Sequence, residues 1–388
     1  MSAKVFFIDN RAGTGRTNLD RVGRLLVKAG IASVVAKGDL VAIKLSFGEH
    51  GNLGYVHPVY VRRVVDAVKK LGGRPVLMDS NTLYKGSRSN AHDSLVTALG
   101  NGFSYATVGA PLLILDGLDS HDYRDVPVAG QIYQSVKIGS GIADAAALIS
   151  LAHVKGHMVS GLGAQIKNLS MGAAPRSGKQ MMHSEVHPEV QGDVCIGCGR
   201  CAKWCPQEAI SLVAVEPGPA APRSAKPGPA EGGARKVASI DPRLCVGCGE
   251  CVATCPSGAI GISWESETGL VQRKMAEFAL GALAGKDGKF LGVSFALNIT
   301  PDCDCFPWSD AAMVPDVGIL AGNDPVALDQ ASYDLVNAQE GLPGTALGRK
   351  GRLAADKFAA VHHGVDPTVQ LAHGEAVGLG TREYELVR

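Results

Sequence analysis

Residues 40–79 read LVAIKLSFGEHGNLGYVHPVYVRRVVDAVKKLGGRPVLMD. Leu40–Phe47 is a largely apolar run of strand length, and Pro75–Asp79 is a second. Between them Pro58 marks a helix start. Val61, Val64, Val65, Val68 and Leu71 then recur on one side, before Gly72 and Gly73 stop the helix. A strand, a helix and a strand in that order predict parallel pairing, because the helix carries the chain back across the sheet. The plan extends outward. Val5–Asp9 precedes a helix over Asn18–Ala29, with Leu19, Val22, Leu25, Leu26 and Ala29 at helical spacing and Gly30 as its stop. Pro111–Asp116 and Ala145–Ala152 read as further buried strands. Phe290–Ile299 and Val317–Ala321 repeat the strand signal, and Asp324 with Pro325 opens a helix reaching about Asn337. The expected fold class is α/β, a parallel or mixed sheet body covered by helices.

That body is interrupted. Of the ten cysteines in 388 residues, none falls in residues 1–194 and eight lie between Cys195 and Cys255. The expected organisation is a body in two parts, 1–190 and 265–388, around a small α+β insert at 191–264. Within the insert, Glu216–Lys236 holds five prolines and four glycines in 21 residues, without hydrophobic period, and reads as a flexible linker. A net charge of +1 without a basic run argues against nucleic acid as a partner. No apolar stretch reaches the ~18 residues of a membrane span. Residues 1–10, MSAKVFFIDN, lack a signal-peptide core, which points to the cytoplasm. A long chain with tightly grouped thiols favours metal ligation over a disulfide scaffold.

The strongest motif is a repeat. DVCIGCGRCAKWCPQEAI and RLCVGCGECVATCPSGAI are offset by 50 residues, and each contains C-x2-C-x2-C-x3-C-P. This is the spacing of bacterial ferredoxins. Three cysteines two residues apart wrap one corner of a cubane, and Gly197, Gly199, Gly247 and Gly249 let the backbone turn that tightly. The fourth cysteine ligates the other cluster in such pairs. Cys195, Cys198, Cys201 and Cys255 are therefore expected to hold one 4Fe–4S cluster, and Cys245, Cys248, Cys251 and Cys205 a second. Trp204 is expected to shield a cluster from solvent.

The segments NITPDCDCFPWSD (298–310), PDVGILAGNDPVALDQASYDL (315–335) and HVKGHMVSGLGAQIKNLSMG (153–172) resemble the domain-of-unknown-function 362 family, in its ferredoxin-containing branch. The resemblance covers essentially the whole chain. It implies an α/β body interrupted by a double-cluster ferredoxin module, and supplies no substrate. His157, Lys167 and His183, with Gly161 and Gly163 between the first two, form a segment similar to the catalytic segment of nickel-pincer lactate racemases. In that family one histidine acts as acid/base, a lysine carries the cofactor and a later histidine ligates nickel. The racemases' substrate-arginine motif is absent here, and Asn168 adjoins the lysine. What the similarity implies is a cleft lined by His157, Lys167 and His183, with His157 and Lys167 as its catalytic residues.

Cys303 and Cys305 form a second candidate site. Two thiols one residue apart cannot complete a tetrahedral metal site, so further ligands must come from elsewhere, with His183, His187, His153 and His157 as candidates. A third metal or cluster, a thiol pair lining a pocket, and a strained redox-active disulfide are the three readings. Lys44, Glu49, Tyr55 and His57 follow a strand end, where open α/β sheets bind ligands, and are expected to face the same cleft; Lys44, Tyr55 and His57 are the cofactor-binding candidates. The leading expectation is an iron–sulfur redox protein passing electrons through two 4Fe–4S clusters to a metal or substrate site in the body. Its partner would be a redox protein or a small molecule; a homodimer is compatible. The alternatives are an electron-carrier module without its own chemistry and a non-redox metal enzyme with a racemase-like cleft.

Overall fold

The computed structural model describes residues 2–14, 17–83, 86–183, 188–205, 207–215, 235–245, 251, 254–261 and 268–388. The chain divides into two compact units, Met1–Pro175 with Thr268–Arg388, and Arg176–Glu267.

The first unit is an α/β fold around an eight-stranded sheet. From one edge to the other its strands are Tyr384–Val387, Ala3–Asp9, Gly318–Gly322, Phe290–Ala296, Ala147–His153, Leu40–Lys44, Arg74–Asp79 and Leu112–Ile114. Gly318–Gly322 runs antiparallel to both neighbours, and the remaining pairs are parallel. All seven residues of Ala147–His153 are buried, as are all seven of Phe290–Ala296. Burial on both faces is what parallel strands under helices require, and it explains their continuous apolar sequence.

The helix Pro58–Lys70 buries Val61, Val64, Val65 and Val68, the stripe that the spacing predicts. With Val22, Leu25 and Leu26 of the helix Asn18–Lys28 it covers one sheet face, packing on Val41, Ile43, Ile149 and Leu151. A second core forms around Val5, Leu320, Ala327, Leu328 and Phe358. Thr17 caps the first helix by accepting from Asp20 N, and Asp324 caps Pro325–Asn337 by accepting from Ala327 N. The unit also contains two hairpins, Tyr123–Pro127 with Ser135–Gly139 and Lys155–His157 with Gly161–Gly163.

In the second unit Ile210–Val215 pairs antiparallel with Arg235–Ile240, and Glu189–Val190 with Ile260–Gly261. Its core gathers Cys195, Cys201 and Cys251 with Ile210, Val237, Ala238, Ala259 and Ile260. Ser211↔Ser239 to Val215↔Arg235 is an unbroken register, so residues 216–234 connect the two strands of one hairpin. Among the described residues no helix is long and apolar enough to cross a membrane.

Candidate functional site

Three adjacent parallel strands end on polar residues: Lys44, Asp79 and His153. All three are buried. Lys44 Nζ lies 3.1 Å from Asp79 Oδ1 and donates to Leu45 O and Asn168 Oδ1, both at 2.9 Å. Arg88 closes the other side of Asp79 at 2.9 Å and reaches Glu49 at 3.3 Å. Burial pushes the Lys44 ammonium down, against the attraction of Asp79. Burial also works to raise the Asp79 carboxyl, but Lys44 and Arg88 outweigh it and hold the group below its ordinary value. This buried network keeps its charge because every member has an opposite or a hydrogen-bonding partner.

The strand Phe290–Ala296 leads into the segment that carries Cys303, Asp304 and Cys305. Glu49 N donates to Asp304 O at 2.9 Å, and Asn52 Nδ2 donates to Phe306 O and Trp308 O at 3.2 and 2.8 Å. Gly156 N donates to Thr300 O at 2.8 Å. A Cβ on Gly156 would stand 2.0 Å from Pro301 O, so the close approach requires glycine. Asp304 is buried between His153 Nδ1 at 2.7 Å and Lys155 Nζ at 3.2 Å. Burial pushes its carboxyl up, yet the charges of Lys155 and His153 hold it well below the usual carboxylate range. His153 Nε2 faces the carbonyls of Leu297 and Asn298 at 3.1 and 3.0 Å and so carries a proton. With Nδ1 on Asp304, His153 has no nitrogen left for a metal.

Cys303 and Cys305 lie above this charge cluster with His157. One ligand atom from each of the three comes within 4.8 Å of the others. Lys167 Nζ donates to Cys303 Sγ at 2.5 Å, and Cys305 N donates to the same sulfur at 3.3 Å. Burial pushes the Cys303 thiol up, but a hydrogen bond from Cys305 and the charges of Lys167 and Lys155 overcome it and hold it well below its ordinary value. The Cys305 thiol is held well above, first by that bond to Cys303 and then by burial. Within the pair, negative charge is therefore favoured on Cys303 over Cys305. His157 Nδ1 accepts from Val159 N at 3.2 Å and Ser160 N at 3.1 Å, which leaves the neutral ring's proton on Nε2. Ligation of a metal through Nε2 therefore requires that turn to release Nδ1. Two thiols and an imidazole are a donor set suited to a soft or borderline metal such as zinc, with one position left open.

Lys167 and Asn168 are on the short helix Gln165–Leu169. Asp329 holds its start, accepting from Gln165 N at 2.7 Å and Ile166 N at 2.8 Å. Burial pushes the Asp329 carboxyl up to about 7.

In the second unit, Cys195, Cys198, Cys201 and Cys255 line one cavity of about 300 Å³, counting the open space at its mouth, with Ile196, Leu212 and Ile260. Burial first, and then the proximity of Cys255, Cys195 and Cys198, push the Cys201 thiol up. Ala238 N donates to Cys195 Sγ at 3.4 Å and Ala259 N to Cys255 Sγ at 3.3 Å. Ala209 N makes the same 3.3 Å contact to Cys205 Sγ. Backbone N–H groups aimed at thiolates offset their charge. Gly197, at φ +65°, turns the first motif, and a Cβ there would meet Lys236 O at 2.5 Å. Four thiols converging on one cavity fit a cubane cluster as ligands.

The residues singled out from sequence are distributed as follows. Lys44, His157, Lys167, Cys303 and Cys305 all belong to the first unit and are buried or nearly so. Tyr55 donates to Asn101 O at 3.1 Å and packs on Phe103, and His57 Nδ1 accepts from Val59 N at the start of Pro58–Lys70. Both thereby serve the scaffold. His183 ends the helix Arg176–His183 of the second unit. His187 and Cys248 lie outside the described residues, as do residues 216–234 of the expected linker 216–236, whose last two residues, Arg235 and Lys236, instead open the strand Arg235–Ile240. Sequence reading missed Arg88 and Asp329 altogether; Lys155 stood beside His157 and Lys167 as a weaker candidate, and the ion pair it makes with Asp304 was missed. Lys155 and Asp304 had one legible signal, a charged residue inside an otherwise apolar or cysteine-bearing motif.

The family model described as "Domain of unknown function (DUF362)" matches residues 41–334. No curated protein matches the chain. Among solved structures, the lactate racemase apoprotein from Thermoanaerobacterium thermosaccharolyticum is similar at 8% identity and a TM-score of 0.44, over 87% of this chain and 58% of that one. A crystal structure of a Thermotoga maritima protein is similar at 8% identity and a TM-score of 0.35, over 74% of this chain and 52% of that one. The chain thus spans little more than half the length of the solved structures it matches.

Proposed function

The chain belongs to the DUF362 family, and on that premise we propose that it is an iron–sulfur protein whose second unit holds two 4Fe–4S clusters and delivers electrons to the thiol site of the α/β unit. One observation carries the reading: Cys195, Cys198 and Cys201 of the first motif line the same cavity as Cys255, the last cysteine of the second. That crossing is what the doubled spacing predicts. Bound there, such clusters supply one-electron transfer. The chain's own residues contribute the thiol ligands, the N–H donors from Ala238 and Ala259, and apolar neighbours in Ile196, Leu212 and Ile260.

At the α/β site Cys303 and Cys305 would hold a metal or face a substrate. Lys167 and Lys155 balance the thiolate charge, Asp304 balances Lys155, and Asp329 fixes the helix that presents Lys167. His157, held through Nδ1 by the N–H groups of Val159 and Ser160, would be the acid/base group beside the thiols. A non-redox metal enzyme using the same Cys303, Cys305 and His157 donors is the second reading, favoured by their convergence within 4.8 Å.

Two variants test the two sites separately. Cys255→Ser is expected to alter the cluster held by Cys195, Cys198 and Cys201, lowering iron per chain and changing the low-temperature electron paramagnetic resonance spectrum. Retention of the wild-type iron and spectrum would contradict the crossed assignment. Cys303→Ser with Cys305→Ser is expected to leave that iron in place and to remove any additional metal found by elemental analysis.

A further inference from the structure

The contact between Lys167 and Cys303 is shorter than the backbone nitrogen–sulfur contacts among the described residues. Lys167 Nζ is 2.5 Å from Cys303 Sγ, whereas the backbone N–H groups approach cysteine sulfurs at 3.3–3.4 Å. Both side chains are buried, at 9% and 4% exposure. Lys167 is fixed by the helix that Asp329 caps. Cys303 is fixed by the segment that Glu49 and Asn52 clamp. Gly163 leaves room for both lysine stems, since a Cβ there would stand 3.3 Å from Lys155 Cε and from Lys167 Cδ. The spacing is too short for an ordinary N–H···S hydrogen bond and suits a nitrogen and a sulfur joined through one intervening atom.

We propose that Lys167 and Cys303 form a reversible oxidative cross-link, Nζ–O–Sγ, when the protein meets dioxygen. The ammonium–thiolate pair carries three hydrogens between nitrogen and sulfur. One oxygen atom of O2 enters the bridge, forming one N–O and one O–S bond. The other leaves as water with two of the hydrogens, and one hydrogen stays on nitrogen. Nitrogen and sulfur each give up two electrons, and O2 accepts four. The competing product, a disulfide between Cys303 and Cys305, closes a strained ring across a single residue. Formation of the bridge removes a thiolate and its neighbouring cation together. It silences the site without leaving an uncompensated charge, and four electrons from two dithiol molecules, each oxidised to a disulfide, restore both groups and release the bridging oxygen as water. The inference stands on the Lys167–Cys303 geometry alone and is independent of the iron content of the second unit.

The test is peptide mapping by mass spectrometry of the full-length protein, purified anaerobically, with and without equilibration in air. Thiols are alkylated in acid denaturant before trypsin digestion. In the aerated sample a Lys167 peptide joined to the Cys303 peptide is expected, heavier than their sum by one oxygen and lighter by two hydrogens. Cleavage after Lys167 should be lost. The joined species should disappear with dithiothreitol, and it should be missing from the anaerobic sample and from aerated Lys167→Arg. Aerated wild-type protein overturns the proposal if Cys303 is recovered alkylated, joined to Cys305, oxidised without Lys167, or linked to Lys167 without the oxygen.

Discussion

Asp304 shows how much of this site rests on one buried carboxylate. It faces His153 at 2.7 Å and Lys155 at 3.2 Å, at 1% exposure. Asp304→Asn leaves buried Lys155 without its counter-charge, which costs about 3–5 kcal/mol when one member of a buried pair is removed. Urea denaturation measures it, and a loss under about 1 kcal/mol, the range of exposed pairs, would contradict the assigned role. Asp329 carries a pH dependence. Its folded pKa of about 7 stands above the ordinary 3.8. The folded state therefore binds its proton more tightly, and the stability this contributes is present below 3.8 and lost as pH rises through about 7. Asp329→Asn lacks that titration. The difference in unfolding free energy is expected to move in the variant's favour between pH 5 and pH 8, and a difference independent of pH would contradict it. Cys303 and Cys305 were legible because a C-x-C pair has few bland explanations. His153, Asp304 and Lys155 were not, because their meaning is a pairing across 151 and 149 residues of sequence that no local pattern carries.

The elements that were legible are those whose apolar period matches their environment. Leu40–Lys44 and Arg74–Asp79 are buried on both faces, and the helix Pro58–Lys70 between them has one apolar stripe. Tyr384–Val387 went unread because a four-residue edge strand, partly exposed throughout, has no apolar run to see. The hairpin Lys155–His157 with Gly161–Gly163 went unread because short strands with two glycines resemble a loop. It nevertheless places His157 beside the thiols. The long linker of the second unit spans one hairpin whose register ends at Val215↔Arg235. Deleting residues 217–233 leaves Glu216 and Ala234 as a two-residue connection, a length that antiparallel strands accept. Iron per chain should be unchanged, and replacing those two residues by Asn-Gly should restore any stability lost to the poor turn residues. Loss of iron from both deletion variants would show that the linker supports the clusters.

At the scale of the whole molecule, the α/β unit is assembled from two segments, one before and one after the second unit in the sequence. Gly318–Gly322 lies between Ala3–Asp9 and Phe290–Ala296, so the sheet cannot close without residues from either side of the cysteine-rich segment. The interruption was visible in the sequence because composition changes abruptly at the cysteines. Which body elements meet across it was not, because strand order is set by packing of distant segments. The ten cysteines accordingly divide by unit as well as by motif, eight in Arg176–Glu267 and two in the sheet body. Iron and acid-labile sulfide per chain in anaerobically purified protein test whether the second unit holds two clusters. Two 4Fe–4S clusters predict about eight of each. Zinc in place of iron, or iron without an equal amount of sulfide, would contradict that assignment.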